Sequence, residues 1–335
     1  MSSVVSPGGL GEFGRIRRFF APLAGPGGLG LTDDAALVDC RPGYRLVVTV
    51  DAIVEGVHYL ADDPPDLVAK KLLRVNLSDL AAMGARPLHY LLATALPATL
   101  GDEWVARFAA GLAEDQRRFG VALLGGDSVA TSGPAVLSLT ALGEVACGAE
   151  IRRTGAKPGD RIWVSGWIGD AFLGLQVLRG GHPTLAPADR AALTRRFQLP
   201  EPRIELGPRL AGIAHAMLDV SDGLIADLGH ICEASGTRAT VALPSLPLSR
   251  AAMAAVALDP DLPAHLATAG DDYELLFTAP SEAGEAIGHL AAELGLPITA
   301  IGTIDQVAGE EGAGVRLVDS GGHPIPLATA GYRHF

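Results

Sequence analysis

The sequence predicts an α/β protein made of two mixed α/β domains. The chain has 335 residues, which is more than one ordinary domain usually holds. Strand-like runs of β-branched residues alternate along it with segments whose apolar residues recur at helical spacing. A connector at 152–166 carries Gly, Lys, Pro and Asp before a new strand begins. We therefore place the boundary near 150, which gives domains at 1–150 and 151–335.

In the first domain, period and composition predict the elements in turn. A short helix is predicted at 12–20, and β-branched "YRLVVTVDAIV" predicts a strand at 44–54. Apolar residues at helical spacing predict a helix at 66–85, which Gly84 and Pro87 then stop. The remaining predictions are a strand in "LHYLLATALP", a helix in "DEWVARFAAGLAEDQRRFG", a strand in "VALLGGD" that leads to a glycine turn, and a strand in "AVLSLTALGEV".

The second domain repeats the alternation. We predict strands near 161–165, 215–220 and 274–278, helices near 169–180 and from about 223, and a helix with loops in 181–205. No element is assigned to the tail at 305–330. The segments "NLSDLAAMG" and "DVSDGLIADLG" share an Asn/Asp-x-Ser-Asp core, which hints at a duplication.

Composition excludes several classes of function. The formal net charge of −12 argues against nucleic-acid binding and against anionic membranes, because both need a basic face. No signal peptide is legible, and the stretch "LLATALPATL" is too short to span a bilayer. The three cysteines are far apart and odd in number, so we expect a reducing cytoplasm.

Acidic residues recur beside apolar runs. Asp51 follows "LVVTV", Asp127 follows "LLGG", and Asp79 lies three residues after Asn76 on the same predicted helix face. The others in this context are Asp33, Asp34, Asp219 and Asp222. Two like charges about 4 Å apart repel by roughly 4 kcal/mol in a partly screened site. If these carboxylates converge, magnesium ions are the natural neutralising partner, because magnesium prefers oxygen ligands.

Each of these residues also has an ordinary structural interpretation. Asp222 or Ser221 can cap the helix that is predicted to start at Gly223. Asp33 with Asp34 can form a turn, Asp51 can be a loop residue, and His58 can belong to the core or the surface. Asp227, one turn along the helix, is expected to face elsewhere. No phosphate-binding loop with a Gly-Lys-Ser/Thr sequence and no Ser-His-Asp or Cys-His arrangement is legible.

Taken in order, the motifs resemble those of the thiamine-monophosphate kinases. They are "DDAALVD", "VVTVDAIVEGVHY", "NLSDLAAMGARP", "LLGGDS", "RTGAKPGD", "LDVSDGLIADLGHI", "AGDDYELLFT" and "GYRHF", and they span nearly the whole chain. The resemblance implies phosphorylation of thiamine monophosphate to thiamine diphosphate, with ATP as co-substrate and several Mg²⁺ ions. It implies direct in-line transfer to the substrate's own phosphate, with no protein nucleophile, in which the protein positions groups and neutralises charge.

The resemblance also implies roles for individual residues. Val50 stands where the family often has a hydroxyl residue, so it would serve through its carbonyl. The implied metal ligands are Asp34, Thr49, Val50, Asp51, Asp79, Asp127, Asp219 and Asp222. The implied nucleotide contacts are Gly126, Asp127, Arg153 and Ser221, and the implied substrate contacts are His58, Asp271 and Tyr332. Tyr332 can offer a ring face to the cationic thiazolium, and Asp271 can accept from the amino group of the pyrimidine.

By the same resemblance the fold is that of the aminoimidazole ribonucleotide synthetase-like superfamily. Its N-terminal sheets pair in a homodimer, and its active site lies in the cleft between the domains. Three departures from the family pattern stand out. Thr32 replaces a Gly before the paired aspartates, Asp271 stands where Glu is common, and Ala109 replaces a Tyr that often contacts the nucleotide.

Other members of the superfamily fit less well. A selenophosphate synthetase needs a reactive N-terminal Cys, and none precedes Cys40. The hydrogenase-maturation relative ends in Cys, whereas this chain ends in Phe335. Aminoimidazole ribonucleotide synthetase is the nearest enzymatic alternative. A binding protein for nucleotides or thiamine phosphates that turns nothing over also remains open, and ADP release that depends on thiamine monophosphate distinguishes it.

Overall fold

The structure is a computed structural model, and it describes residues 10–32, 35–39, 41–307, 312–327 and 329–332. The chain divides into two units, Met1–Leu80 with Arg86–Cys147 and Ala81–Ala85 with Gly148–Phe335. Each unit has its own sheet with helices, so the predicted α/β class with two mixed domains is confirmed. One feature was not predicted: the short stretch Ala81–Ala85, which follows Leu80 directly, belongs with the second unit.

The first unit is built around a four-stranded sheet of order β1-β4-β2-β3. Strand β4 is antiparallel to both β1 and β2, and β2 is parallel to β3. A helix at the start of the unit continues directly into a π-helical turn, Ile16–Phe20. The elements are α1 Glu12–Arg15, β1 Tyr44–Val54, α2 Pro65–Ala82, β2 Arg86–Pro97, α3 Asp102–Phe119, β3 Ala122–Thr131 and β4 Val136–Ala146.

The two faces of this sheet differ. Ile53, Leu92 and Leu139 are buried on the inner face, and the side chains of α2 and α3 reach this face. The alternate residues of the strands point to the opposite, outer face, because successive side chains of a strand alternate. Several large apolar side chains are exposed on this outer face, among them Val48, Val50, Leu91 and Val129.

Strand β3 corrects a prediction. The sequence predicted that "VALLGGD" ends in a glycine turn, but the strand continues through both glycines to Thr131. A Cβ atom on Gly126 would lie 1.8 Å from the carbonyl oxygen of Leu92, so only glycine lets β3 pair with β2 there. Asp51 and Asp127 therefore lie inside strands, whereas Asp219 ends its strand.

The second unit has a six-stranded sheet of order β10-β7-β9-β5-β8-β6. Its strands are antiparallel to their neighbours except for β10 and β7, which are parallel. The strands are β5 Arg161–Ser165, β6 Ala216–Asp219, β7 Thr237–Ala242, β8 Leu275–Ala279, β9 Ile298–Gln306 and β10 Gly314–Val318. The helices are α4 Asp170–Leu178, α5 Pro187–Gln198, α6 Leu224–Ser235, α7 Arg250–Val256, α8 Leu262–Leu266 and α9 Gly284–Leu294.

The sequence predicted β5, β6, β8, α4 and α6 close to their positions, but it did not predict β7, β9, β10 or the helices α7–α9. Strand β10 lies in the tail to which no element had been assigned. Among the residues that the structure describes, no helix is long and apolar enough to cross a membrane.

Candidate functional site

In the first unit, α2 and β1 bring together three of the predicted metal ligands. The hydroxyl of Thr49 donates to Oδ2 of Asp79 at 2.6 Å. Two strand positions further on, the backbone N–H of Asp51 donates to Oδ1 of Asn76 at 3.0 Å. Asn76 is fully buried, and its Nδ2 donates to the carbonyl of Leu72. The helix therefore faces β1 with residues i and i+3, which share one face as the spacing predicted.

This arrangement offers oxygen atoms and no sulfur or imidazole nitrogen. Thr49, Asp51 and Asp79 are half-buried, so water and small ions can reach them. Carboxylate and hydroxyl oxygens are the ligands that magnesium takes in proteins. Val50 lies between Thr49 and Asp51 and points its side chain to the opposite face, where 61% of it is exposed. Only its carbonyl can serve a metal.

A pocket of about 440 Å³ lies beside β3 in the first unit. This volume falls within the range typical of sites for small ligands. Its wall is largely apolar, with a few polar groups at Thr94, Asp127 and Ser128. Gly126 also lines it and, having no side chain, borders it with backbone atoms alone. The pocket therefore combines an apolar wall with a carboxylate at its edge.

Asp127 itself is exposed on β3, and its Oδ1 accepts from the backbone N–H of Ser128 at 2.8 Å. His58 lies in the turn after β1, where its Nδ1 accepts from the backbone N–H of Val54 at 3.0 Å. A neutral His58 ring then carries its proton on Nε2. Asp34, the remaining predicted ligand of this unit, lies outside the described residues.

In the second unit, the predicted residues surround the loop that follows β6. Asp219 ends the strand and is 5% exposed, and Ser221 and Asp222 follow on the loop. The N-cap position of α6 is Gly223, and no side chain caps it. The alternative interpretation of Asp222 or Ser221 as a side-chain cap is therefore not what the structure shows.

The loop is held by Asp227 instead. Its Oδ2 accepts from the backbone N–H groups of Ser221, Asp222 and Gly223, at 3.0, 3.1 and 3.1 Å. The prediction that Asp227 faces elsewhere is wrong. The signal available in the sequence was a carboxylate in the first helical turn, where the N–H groups of a helix start need acceptors.

The environment of Asp227 makes its charge costly. Burial raises the pKa of its carboxyl to about 6, the nearby Asp222 carboxylate also raises this pKa, and the backbone donors oppose both effects. Ligand atoms of Asp222, Asp227 and His230 lie within 4.8 Å of one another. Two carboxylates so close repel unless a cation or a proton intervenes.

A second segment, residues 270–274 with the sequence "GDDYE", lies against this loop. The backbone N–H of Asp271 donates to the carbonyl of Ser221 at 2.9 Å, and that of Tyr273 donates to the carbonyl of Val220 at 2.8 Å. A Cβ atom on Gly270 would lie 2.2 Å from the carbonyl oxygen of Ser221. Glycine is therefore required for the two stretches to approach so closely.

Two residues of the GDDYE segment have left-handed backbone conformations. The φ angle is 72° at Asp271 and 52° at Tyr273. Such conformations cost roughly 1–2 kcal/mol each for residues with a side chain. They persist only where the surroundings fix them, which is common at functional sites.

The C-terminal part of the chain joins the same cluster. The backbone N–H of Tyr332 donates to the carbonyl of Asp222 at 2.9 Å. A Cβ atom on Gly331 would lie 2.7 Å from that carbonyl oxygen. The structure thus brings together Ser221, Asp222, Asp271 and Tyr332 through backbone contacts.

Two buried carboxylates support the GDDYE segment from within, and the sequence did not single them out as functional. Asp272 accepts from the backbone N–H of Gly169 at 2.6 Å, at the start of α4. Glu274 accepts from Ser165, Arg196 and Arg203. Burial raises the pKa of the Asp272 carboxyl to about 8, although the Gly169 N–H opposes this.

Arg153 is exposed on the loop before β5. This loop is fastened on both sides of it. The carbonyl of Arg152 accepts from the N–H of Met217 on β6, and Ser235 Oγ accepts from the N–H of Gly155 at 3.1 Å. The backbone that carries Arg153 is thereby attached to the strand that carries Asp219. Within the second unit, the loop cluster and Arg153 share β6 as their support.

Comparisons with known proteins agree with this architecture. Residues 32–145 match the family described as AIR synthase related protein, N-terminal domain, and residues 157–314 match its C-terminal domain. The thiamine-monophosphate kinase of Caulobacter vibrioides is 46% identical over 330 residues, which cover 96% of this chain and 90% of that protein.

Two solved structures are similar along most of their length. The crystal structure of thiamine-monophosphate kinase from Stenotrophomonas maltophilia K279a has a TM-score of 0.78 at 42% identity, covering 86% of this chain and 89% of that one. AaThiL complexed with AMPPCP and TMP has a TM-score of 0.77 at 29% identity, covering 100% and 99%.

Proposed function

The chain belongs to the thiamine-monophosphate kinases, and we propose that its clustered carboxylates hold the magnesium ions and phosphates of that reaction. The enzyme transfers a phosphoryl group from ATP to thiamine monophosphate and so makes thiamine diphosphate. One observation supports the site most directly: backbone hydrogen bonds join the loop of Ser221 and Asp222 to both Asp271 and Tyr332. A predicted nucleotide contact and two predicted substrate contacts thus share one scaffold.

The donor set suits magnesium. In the first unit, Thr49, Asp51 and Asp79 offer only oxygen, and Asp127 stands exposed on β3. In the second unit, Asp219 and Asp222 do the same. Asp34 and the carbonyl of Val50 complete the proposed ligands. Bound magnesium neutralises phosphate charge, and hard oxygen donors without sulfur are what it requires.

The pocket beside β3 is the proposed binding site of the nucleotide base. Its apolar wall can cover a flat ring, and Gly126 borders it with backbone atoms alone. The complex of AaThiL with AMPPCP and TMP supports nucleotide binding in the family. Arg153 and Ser221 are the proposed contacts to the phosphates, because a guanidinium presents several fixed donors and a hydroxyl can donate one hydrogen bond.

The substrate is held by groups of complementary chemistry. The half-exposed ring of Tyr332 can stack on the thiamine, with a cation–π contribution from the thiazolium. Asp271 is the proposed acceptor for the amino group of the pyrimidine, and its backbone is held at a left-handed φ of 72°. His58, with its proton on Nε2, can donate to a phosphate oxygen.

No protein nucleophile is needed. The acceptor is an oxygen of the substrate's own phosphate. It attacks the terminal phosphoryl group of ATP in line as the bond from that phosphorus to the bridging oxygen breaks, and ADP leaves. The residues act by orienting the two phosphates and by lowering their mutual repulsion. Rigid attachment of Ser221, Asp271 and Tyr332 to one loop cluster therefore serves the geometry of the reaction.

The outer face of the first sheet is the proposed homodimer interface. Val48, Val50, Leu91 and Val129 are exposed side chains on that face, and exposed apolar surfaces of this kind mark protein interfaces. Val48→Asp should convert the dimer to a monomer in analytical ultracentrifugation. Leu258→Asp, at an exposed leucine of the second unit, is the matched control and should leave the mass unchanged. A monomeric wild type at micromolar concentration would contradict the proposal.

We place the protein in the reducing cytoplasm. Cys147 and Cys232 are free thiols, and an exposed thiol such as that of Cys147 persists best where thiols are kept reduced. The substrates, ATP and thiamine monophosphate, require no nucleic-acid or membrane partner.

The deciding experiment measures thiamine diphosphate formed from thiamine monophosphate, ATP and magnesium. Thiamine and substrates of the aminoimidazole pathway serve as parallel controls. We expect thiamine diphosphate to form when thiamine monophosphate is the acceptor and no product from the control substrates. EDTA should abolish product formation completely. Turnover that continues without divalent metal would overturn the magnesium proposal. Absence of product together with magnesium-dependent ATP binding would point to a binding role.

A further inference from the structure

We infer that Glu274, together with Asp272, is a positioning residue that holds the GDDYE segment in the backbone conformation that thiamine monophosphate binding requires. Neither side chain would touch the substrate. Both would act through Asp271, so the inference rests on the proposed role of that residue as a substrate contact. Neither residue had been assigned a function from the sequence.

The GDDYE segment presents its residues alternately to two sides. The carboxylates of Asp272 and Glu274 are 1% and 0% exposed and point into the unit. Asp271 and Tyr273 are half-buried, and their N–H groups bind the carbonyls of the loop after β6. The inward residues therefore determine how the outward residues meet the loop.

Glu274 is enclosed by cationic and polar donors. Arg203 donates to both of its carboxylate oxygens, and Arg196 donates to Oε1 at 2.9 Å. Ser165 donates to Oε2 at 2.6 Å and accepts from the backbone N–H of Leu275 at 2.9 Å. A Cβ atom on Gly166 would lie 2.1 Å from Oε1, so glycine is needed beside the carboxylate. A fully buried carboxylate requires such a set of partners, and these partners fix its position.

The same cluster fixes the rest of the segment. Arg196 also donates to the backbone carbonyl of Asp272 at 3.2 Å. The carboxylate of Asp272 binds the N–H groups of Gly169 and Ala171 at the start of α4. The segment is thus anchored at two successive inward residues, to α4 and to the arginines.

This anchoring explains why the strained conformations of Asp271 and Tyr273 persist. Residues with side chains leave the left-handed region unless the surroundings hold them there. Without the charge on Glu274, the arginines lose their common partner and the segment is free to relax. Asp271 would then move away from the position in which it meets the substrate.

The test is Glu274→Gln, which keeps the shape and removes the charge. We expect the KM for thiamine monophosphate to rise by about tenfold to a hundredfold, because small displacements of a binding group have effects of that size. The kcat at saturation and the KM for ATP should change less, because Asp227 still holds the N–H groups of Ser221 and Asp222. The matched control is Asp115→Asn, which breaks the buried pair with Arg74 between α2 and α3. It should lower the thermal midpoint without changing either KM.

A second readout separates positioning from loss of stability. Asparagine adopts the left-handed region more readily than tyrosine. Adding Tyr273→Asn to Glu274→Gln should therefore recover part of the lost affinity. Tyr273→Asn alone is the reference, because it also removes the hydroxyl that donates to Oδ1 of Asp271 at 3.5 Å. If Glu274→Gln only weakened the fold in general, Tyr273→Asn would not restore the affinity for thiamine monophosphate.

The outcomes distinguish the inference from the function it rests on. An unchanged KM for thiamine monophosphate in a folded Glu274→Gln protein would overturn the inference. Asp271→Ala, which removes the acceptor altogether, tests the contact itself: if only Glu274→Gln raises this KM, the segment positions some other contact and the role of Asp271 fails. If Glu274→Gln does not fold, Arg203→Lys replaces it as the test. This variant keeps the positive charge but loses the contact with both carboxylate oxygens of Glu274, and an unchanged KM for thiamine monophosphate would again overturn the inference.

Discussion

Two segments with the same polar spacing, "NLSD" at 76–79 and "DVSD" at 219–222, present their carboxylates from different backbones. The first is part of α2, where the helix fixes the backbone and the side chains reach across to β1. The second is a loop, in which the N–H groups of three successive residues converge on the carboxylate of Asp227. The shared spacing is therefore no sign that the two segments are structurally equivalent.

The carboxylates of the two segments are held in different ways. In the helical segment, regular hydrogen bonds and the neutral amide of Asn76 fix the backbone. In the loop segment, buried acids fix the backbone: Asp227 from the helix side and the GDDYE segment from the other side. The loop is thus supported by buried acids whose charge is costly to maintain, and it should be the more sensitive of the two segments to substitution and to pH.

The largest expected effects remove a carboxylate from either segment. Asp79→Asn and Asp222→Asn should each lower kcat/KM by at least about 100-fold, because each removes a proposed metal ligand and even groups behind such ligands matter by 10–100-fold. Both proteins should remain folded by circular dichroism. Asp305→Asn, at an exposed aspartate on β9, is the control and should behave as wild type. Near-normal activity of the Asp222→Asn protein would contradict the proposal that Asp222 is a metal ligand.

Next in size is the loss of the support beneath the loop. Asp227→Ala leaves three backbone N–H groups without their acceptor, so activity should fall by roughly 10–100-fold through misplacement of Asp222. Asp227→Asn keeps one acceptor oxygen and should retain much more activity. Magnesium titrations of the rate provide the measurement, because a displaced ligand raises the concentration needed for half-maximal turnover. Equal activity of the two variants would contradict the idea that acceptor geometry matters.

These examples show which parts of the molecule the sequence predicts. The bounds of β1 follow from β-branched composition alone, and the helical spacing correctly placed Asn76 and Asp79 on one helix face, which the structure turns toward β1. Such features depend on local periodicity. The position of Asp127 inside β3 was not predictable, because the close approach of Leu92 that demands Gly126 comes from a distant strand.

The second unit was harder to predict for a related reason. Strand β10 has five residues, too few to show a clear alternation, and it pairs with β7 across more than seventy positions of sequence. The turn of Asp227 toward the loop and the left-handed backbone of Asp271 and Tyr273 result from tertiary contacts. The resemblance of motifs singled out Asp222 and Asp271 as expected site residues, but it did not single out the buried groups that contact their backbone segments.

A smaller effect is expected in the helical segment. Asn76→Ala removes the acceptor for the N–H of Asp51 in a fully buried place. Leaving that group unsatisfied should lower the free energy of unfolding by about 1–3 kcal/mol. Urea denaturation measures this change, and the KM for ATP should rise only a fewfold because the helix itself stays in place. A loss of activity as large as that of Asp79→Asn would show that the two segments are equally fragile.

The last expected effect is a pH dependence that only the loop segment should show. The pKa of Asp272 is raised by burial from 3.8 to about 8, so the folded state binds its proton more tightly than the unfolded state. This contribution to stability is complete below the unfolded pKa and is lost as pH rises through about 8. The free energy of unfolding should therefore fall with a slope of up to about 1.4 kcal/mol per pH unit in this window.

Asp272→Asn should flatten that slope, whereas Asp115→Asn should leave the slope unchanged. Chemical denaturation at several pH values between about 6 and 9 makes the comparison, and parallel slopes for wild type and Asp272→Asn would contradict the assignment. Because the helical segment is held by the neutral Asn76, Asn76→Ala should shift the stability equally at every pH, so the two supports can be told apart by slope alone.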